Sequence, residues 1–208
     1  MTYEEVIVRA RERLDDVVKP YLWSSLELKQ YLVEALDELL SETLIYSKSF
    51  KEIEVRGGSK YYKTPSYVIA IDEESVYFDE TQLVLADRDD VIRGFRTPGS
   101  PLWYFFQDKK IYFFPYPKEN GELSFEARCT IESIPDASEV VPIQPNYHFF
   151  LIYGIMARAF LKVDSETYNP QQAQKYDLLF KQKIEEIKKR KLREEYTIRQ
   201  NPVHQGLL

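Results

Sequence analysis

Two histidines, one cysteine and 34 carboxylates are what the 208-residue chain offers to chemistry. His148 opens an apolar run, where a hydrogen-bonded structural role is the expectation, and His204 lies in the C-terminal stretch. With Cys129 they fall short of the four ligands of a structural zinc site. Cys129 sits in an alternating run, which predicts a buried thiol rather than a nucleophile. A lone cysteine forms no intramolecular disulfide, so a reducing compartment is expected. There is no nucleophile elbow, and no Walker loop, dinucleotide glycine fingerprint or HExxH pair. Neighbouring acids occur at Asp15-Asp16, Glu73-Glu74, Asp89-Asp90 and at Asp164 with Glu166. In so acidic a chain composition alone explains such neighbours, so acid–base attack on a glycoside has little specific support. The residues predict no catalytic centre, no cofactor and no metal.

The other candidate chemistry is ionic. Lys181, Lys183, Lys188, Lys189, Arg190, Lys191 and Arg193 crowd one stretch with Glu185 and Glu186 among them. A solvated helix face is one reading, and bases near a helix C-terminus also oppose the macrodipole. An interaction strip for DNA or an acidic partner protein is the other. The net charge of -6 argues against nucleic acid as the ligand of the whole surface. Sixteen tyrosines fit a protein that makes contacts, since Tyr is stiff, amphipathic and enriched at interfaces.

These residues need elements to hold them. A first helix is predicted over residues 2–18, with Thr2 as cap, Glu5 completing a capping box, and Val6, Ile7, Ala10, Leu14 and Val17 on one stripe; Pro20 stops it. Ser24 and Glu27 form a second capping box, with Trp23 and Leu28 in the staple positions. Leu28, Tyr31, Leu32, Ala35, Leu36, Leu39 and Leu40 then make a broad apolar face. A third helix, residues 146–161, is apolar almost all round and too short to span a bilayer. It must be enclosed by other elements, and the two N-terminal helices are its expected neighbours. Asn169-Pro170 caps the last helix, whose inner stripe is Ala173, Tyr176, Phe180, Ile184 and Ile187.

Between the helices the periodicity changes to two. Strands are predicted over 52–56, 67–71, 75–78, 83–85, 103–107, 111–114 and 123–129. Turns are predicted at Gly57-Gly58, Asp108-Lys109-Lys110 and Asn120-Gly121, and a surface loop over 94–101. Core packing is the main expectation for the aromatics, with a stacking platform for sugars or bases as the alternative. The fold class is therefore α+β: a helical bundle of residues 1–48 and 142–196, an inserted antiparallel β-sandwich or barrel-like module over 49–141, and an extended tail over 197–208. The N-terminal stretch lacks an apolar signal core and no stretch reaches transmembrane length, so synthesis and folding in the cytoplasm are expected. A helical frame of this kind points to assembly rather than catalysis.

A resemblance runs through Pro20-Tyr21-Leu22-Trp23-Ser24-Ser25-Leu26-Glu27-Leu28 and Tyr31-Leu32-Val33-Glu34-Ala35. It continues at Gly99-Ser100-Pro101, Trp103-Tyr104 and Ile111-Tyr112-Phe113-Phe114-Pro115-Tyr116-Pro117. It returns at Tyr147-His148-Phe149-Phe150-Leu151-Ile152-Tyr153-Gly154-Ile155-Met156-Ala157-Arg158-Ala159, runs from Leu161 to Asn169-Pro170, and extends into the helix from Ala173. Over residues 2–193 the order and spacing of these patterns resemble the head-to-tail adaptor (neck, or head completion) proteins of tailed bacteriophages, especially the tail tubular protein A-like adaptors of short-tailed phages. The resemblance implies a virion protein at the head–tail neck, docked as a ring, a dodecamer, beneath the portal protein. The ring would extend the DNA channel, let the genome pass without sequence-specific binding, and present a platform to a downstream tail or nozzle protein, with no membrane involved. By position it assigns portal contact to Lys188, Lys189, Arg190, Lys191, Arg193, Tyr196, Ile198, Arg199, Pro202, Val203, Leu207 and Leu208. Two alternatives stand beside it: a DNA-contacting protein using the basic helix, and a carboxylate-dependent peptidoglycan hydrolase.

Overall fold

The computed structural model describes residues 1–87, 97–133, 135–163 and 166–200, with side chains as far as 194. The chain divides into two compact units, Met1–Thr43 with Ile134–Leu208, and Leu44–Ser133.

Four α-helices build the first unit among its described residues: α1 (Tyr3–Leu14), α2 (Ser25–Thr43), α3 (His148–Ala159) and α4 (Pro170–Gln200). Their starts follow from local chemistry. The Glu5 amide donates to Thr2 Oγ1 at 3.2 Å and the Thr2 amide to Glu5 Oε2 at 3.0 Å. The same reciprocal box joins Ser24 and Glu27, at 3.2 and 2.7 Å, so each helix begins with two orphan donors satisfied. Hydrogen bonding to Ser24 holds the Glu27 carboxyl below the usual range. Asn169 Oδ1 accepts from the Gln172 amide at 3.1 Å, with Pro170 as first helical residue.

α1 stops at Leu14, four residues before the expected end, and Val17 lies exposed rather than on the stripe. The cause is Asp15, in the left-handed region with φ 56°, followed by the buried Asp16. Asp16 accepts from the Leu22 amide at 2.8 Å and the Trp23 amide at 3.3 Å, and pairs with Arg11. Side-chain bonds to backbone compete with the helix and win.

α3 packs on α1, α2 and α4. It is shorter than the apolar run, because Pro145–Tyr147 forms a 3₁₀ turn ahead of it. Gly154 lets it approach α2: a Cβ there would fall 2.6 Å from the Ala35 Cβ and 3.2 Å from the Phe180 ring. Trp23 is buried and donates from Nε1 to the Ala159 carbonyl at 3.0 Å, tying the α2 entry to the α3 exit.

The second unit carries strands β1 (Ser47–Val55), β2 (Tyr61–Lys63), β3 (Val68–Ile71), β4 (Tyr77–Phe78), β5 (Thr81–Gln82), β6 (Val84–Leu85), β7 (Pro98–Gly99), β8 (Trp103–Gln107), β9 (Lys110–Phe114), β10 (Tyr116–Pro117) and β11 (Gly121–Cys129). One sheet runs β1-β11-β4-β5 with β3 also on β11, a second runs β2-β9-β8-β6, and β7 pairs with β10. Val55, Phe78, Leu123 and Phe125 from the first sheet share a core with Tyr104, Ile111 and Phe113 from the second, which is sandwich packing. The sheets are mixed rather than wholly antiparallel, since β6–β8 and β7–β10 are parallel. Part of the expected surface loop is thereby a short strand, Pro98–Gly99; its residues 94–96 lie outside the described residues.

The predicted tight turn after β8 has Asp108 and Lys109 at φ 51° and 58°, the two positive values of a type I′ hairpin. Lys109 is held there by the Thr64 amide, which donates to its carbonyl at 2.9 Å, and by its own ammonium, which donates to the Val68 carbonyl. The aromatics divide by strand parity. Tyr104 and Phe113 are buried, with the Phe78 ring 5.7 Å from Phe113. Trp103, Phe105, Tyr112 and Phe114 take the opposite face, with Tyr61 5.6 Å from Tyr112 and the Lys110 ammonium 4.6 Å from the Tyr61 ring.

Candidate functional site

α4 is the element on which the sequence places its interaction strip. Ala173, Phe180, Ile184 and Ile187 are buried along its inner side. The Tyr176 ring stacks 6.4 Å from Tyr153 and 5.9 Å from Phe160. This anchorage sets the outer cations at fixed places, and most of them meet acids. Lys181 pairs with Asp177 at 2.7 Å, Lys183 with Glu186 at 2.8 Å, and Arg190 with Glu194 at 2.9 Å.

Lys188 is the most engaged. Its ammonium lies 2.6 Å from Glu42 of α2 and 3.1 Å from Glu185. The hydrogen bond to Glu42, then that to Glu185, raises the Lys188 pKa, and the same bond lowers that of Glu42. Lys191 donates to the Thr43 carbonyl at 3.5 Å. Lys189 and Arg193 are exposed. Lys188, Lys191 and the end of α2 therefore form a clasp between α2 and α4, while Lys189, Arg190 and Arg193 face solvent.

The helix runs to Gln200, four residues beyond Tyr196, where the sequence reading ends it. Tyr196, Ile198 and Arg199 thus belong to the helical backbone, and 197–200 are not extended. Pro202, Val203, Leu207 and Leu208, named for portal contact, lie outside the described residues, as does His204.

The other candidate groups are engaged within their own units. Cys129 is fully buried, and burial pushes its thiol pKa up. His148 is buried, with Nδ1 2.8 Å from the Met1 nitrogen and Nε2 2.9 Å from the Ile143 carbonyl. Asp16 is committed to Arg11, and Glu73 and Glu74 open a 3₁₀ turn whose Glu73 carbonyl accepts from the Tyr104 hydroxyl at 3.1 Å. Asp89, Asp90 and Asp164 lie outside the described residues. Among the described residues no group of three His, Cys, Asp or Glu is placed to hold a metal ion, and no helix is long and apolar enough to cross a membrane.

Arg158 was not singled out from the sequence. It projects from apolar α3 and meets Glu34 at 3.1 Å, Glu38 at 2.7 Å and the Gly154 carbonyl at 3.1 Å. The signal was present: one cation in an apolar helix, and two acids one turn apart on α2.

These features, a bundle clasped by ion pairs and an inserted sandwich, define a mixed α+β protein whose helices frame a β-rich middle. The chain belongs to the SU10 adaptor protein family, whose model matches residues 1–206. It is thus a head-to-tail adaptor of a bacteriophage, a structural protein of the virion, in agreement with the resemblance carried by its helix caps and strand–turn–strand middle. No curated protein matches the sequence significantly.

Proposed function

We propose that the protein docks as a ring beneath the phage portal, extends the DNA channel and presents a platform for the tail. The observation that carries this reading is the family match over almost the whole chain. It is supported by α4, a helix of 31 residues whose C-terminal half carries the first of the residues assigned to the portal, among them Lys188, which also pairs with Glu42 of α2. In this proposal residues 188–208 contact the portal, twelve copies close the ring, and the genome passes without sequence-specific binding. Segments that order on docking spend part of their contact energy on ordering, and a ring multiplies weak contacts into a stable collar. The salt bridges of α4 leave fewer cations for phosphate, which favours a protein partner over DNA as the ligand of this strip.

The test is to mix the purified protein with the portal encoded by the same genome and examine the product by native mass spectrometry and negative-stain imaging. The expected result is a ring stacked on the portal, lost when residues 197–208 are deleted. Two folded components that never associate would overturn the proposal, and binding to duplex DNA that weakens steeply with salt would put the DNA-contacting reading in its place.

A further inference from the structure

The apolar residues that folding leaves uncovered gather at one end of the helical unit. Eight of the eighteen exposed large hydrophobics among the described residues fall in two short segments, 17–26 and 161–168. Val18 is 76% exposed, Leu26 65%, Val163 90% and Tyr168 54%. The Asp16 junction is one cause: by ending α1 it turns Val17 and Val18 away from the helical stripe and out to solvent.

The two segments form one surface. The Lys162 ammonium donates to the Leu22 carbonyl at 2.6 Å and pairs with Glu27 at 3.1 Å. Beneath them Trp23 donates to the Ala159 carbonyl at 3.0 Å and sets its ring edge-on to Phe160, centroids 6.3 Å apart. The Asn169 amide donates to the Phe160 carbonyl at 2.9 Å, which folds 161–168 back against the α3 exit. This base is already close-packed, so the outer side chains have no core left to enter.

Size and composition point to the occupant. At these exposures the two segments present a surface on the order of 800 Å², where the largest apolar patch of a typical monomer is ~300–600 Å² and one side of a standard interface is ~800 Å². Valines, leucines and tyrosines prevail, as in contacts between like subunits, which are more apolar than contacts between unlike ones. The rim carries both signs, Asp15 and Glu27 with Lys19 and Lys162. Two copies can therefore set opposite charges against each other. Elsewhere in the unit the exposed large hydrophobics are spread over separate elements, Val8 on α1, Phe149 on α3, Leu178 and Leu192 on α4. Among the described residues of this unit, only the same patch on a second copy supplies a matching apolar area.

We propose that this end of the helical unit is an isologous docking surface for a second copy of the chain, which makes the free protein a two-fold dimer. The same patch on both copies closes the contact on itself, so association stops at two. It is a separate contact from the ring proposed at the portal, whose closure needs two different faces on each copy.

The test is sedimentation velocity of the intact protein from about 1 to about 100 μM. The expected result is a reversible equilibrium between 24.7 kDa and twice that mass, saturating at two copies. Added salt should not weaken it, because apolar contacts are not screened. Leu26→Glu puts an acid in the first turn of α2, where the helix dipole favours it. Val163→Asp alters a side chain with almost no packing to lose. Circular dichroism checks that both variants fold, and each should raise the Kd of the dimer at least about tenfold. Leu192→Asp, towards the other end of α4, should leave it unchanged. A wild type that is monomeric throughout, a dimer indifferent to both changes, or oligomers that grow past two would each overturn the proposal. If Leu26→Glu instead abolishes binding of the neighbouring tail protein to a monomer, the surface belongs to that partner. Portal docking is read out separately, so none of these outcomes decides the ring.

Discussion

Arg11 and Asp16 lie 2.5 Å apart, and both are buried, five residues from each other across the exit of α1. The pair is a junction rather than an isolated salt bridge. Asp16 also accepts the amides of Leu22 and Trp23, Arg11 donates to Ser25 at 3.2 Å, and the guanidinium lies 4.0 Å from the Tyr21 ring. One carboxylate therefore ends α1, folds the chain back and sets the start of α2.

Removing that carboxylate leaves a buried cation and two amides without their acceptor. Asp16→Ala should cost about 3–5 kcal/mol, the range for breaking one side of a buried pair. Asp16→Asn keeps an acceptor and should cost less. Urea unfolding of the three proteins checks this, and equal stability of wild type and Asp16→Ala would show that the junction contributes nothing net.

Gly154 is a matter of space. Its missing side chain lets α3 close on Ala35 and Phe180. Gly154→Ala should destabilise by about 1–3 kcal/mol through overpacking, despite the better helix propensity of alanine. Pairing it with Ala35→Gly should recover part of the loss. A stabilised Gly154→Ala would mean the helices separate freely.

The clasp between Glu42 and Lys188 is close but exposed at its acidic end. A double-mutant cycle with Glu42→Ala and Lys188→Ala should give a coupling below about 1 kcal/mol, shrinking as salt is added. A larger, salt-independent coupling would show the pair to be shielded by further contacts. Neither change should disturb the fold, so the same variants can be tested for portal binding.

Buried and half-buried ionisable groups of the β unit report on its integrity at high pH. Burial, reinforced by Glu73 and Asp72, pushes Tyr104 far above the ordinary phenol range, and burial also raises Tyr62, Tyr67 and the Cys129 thiol. For groups raised on folding, the stabilisation is complete below the unfolded value and is lost as pH rises through the folded one. Absorbance titration should show a fraction of tyrosines that ionises only when the protein unfolds, above about pH 10. In the same samples Cys129 should react with a thiol reagent only after unfolding. Prompt reaction in the native state would mean that the sandwich opens around it.

Much of this was legible because it is local. Thr2 with Glu5, Ser24 with Glu27, and Asn169 with Pro170 are helix starts written within three residues. The period-two runs of 103–114 and 123–129 announce strands because alternate side chains must part to opposite faces. Caps and periods act over one or two turns of chain, so sequence determined the helices and the longer strands, and that helices from both ends frame a β-rich middle; the short strands β2, β5, β7 and β10 carry no period of their own and were missed.

What the tertiary structure decided lies at long range or in competition. Asp16 overrides the helical pattern that Val17 continues because its carboxylate finds Arg11, Leu22 and Trp23 at once, a choice no periodicity contains. The parallel pairing of Val84–Leu85 with Trp103–Tyr104 joins segments that only folding brings together. Lys188 reads as one base among seven until Glu42, 146 positions away, arrives 2.6 Å from it. His148 reads as a buried histidine until folding sets Met1 and Ile143 against its two ring nitrogens. A side chain's type states what it can bond, but its partner, and hence its charge and its role, is set by packing between distant parts of the chain.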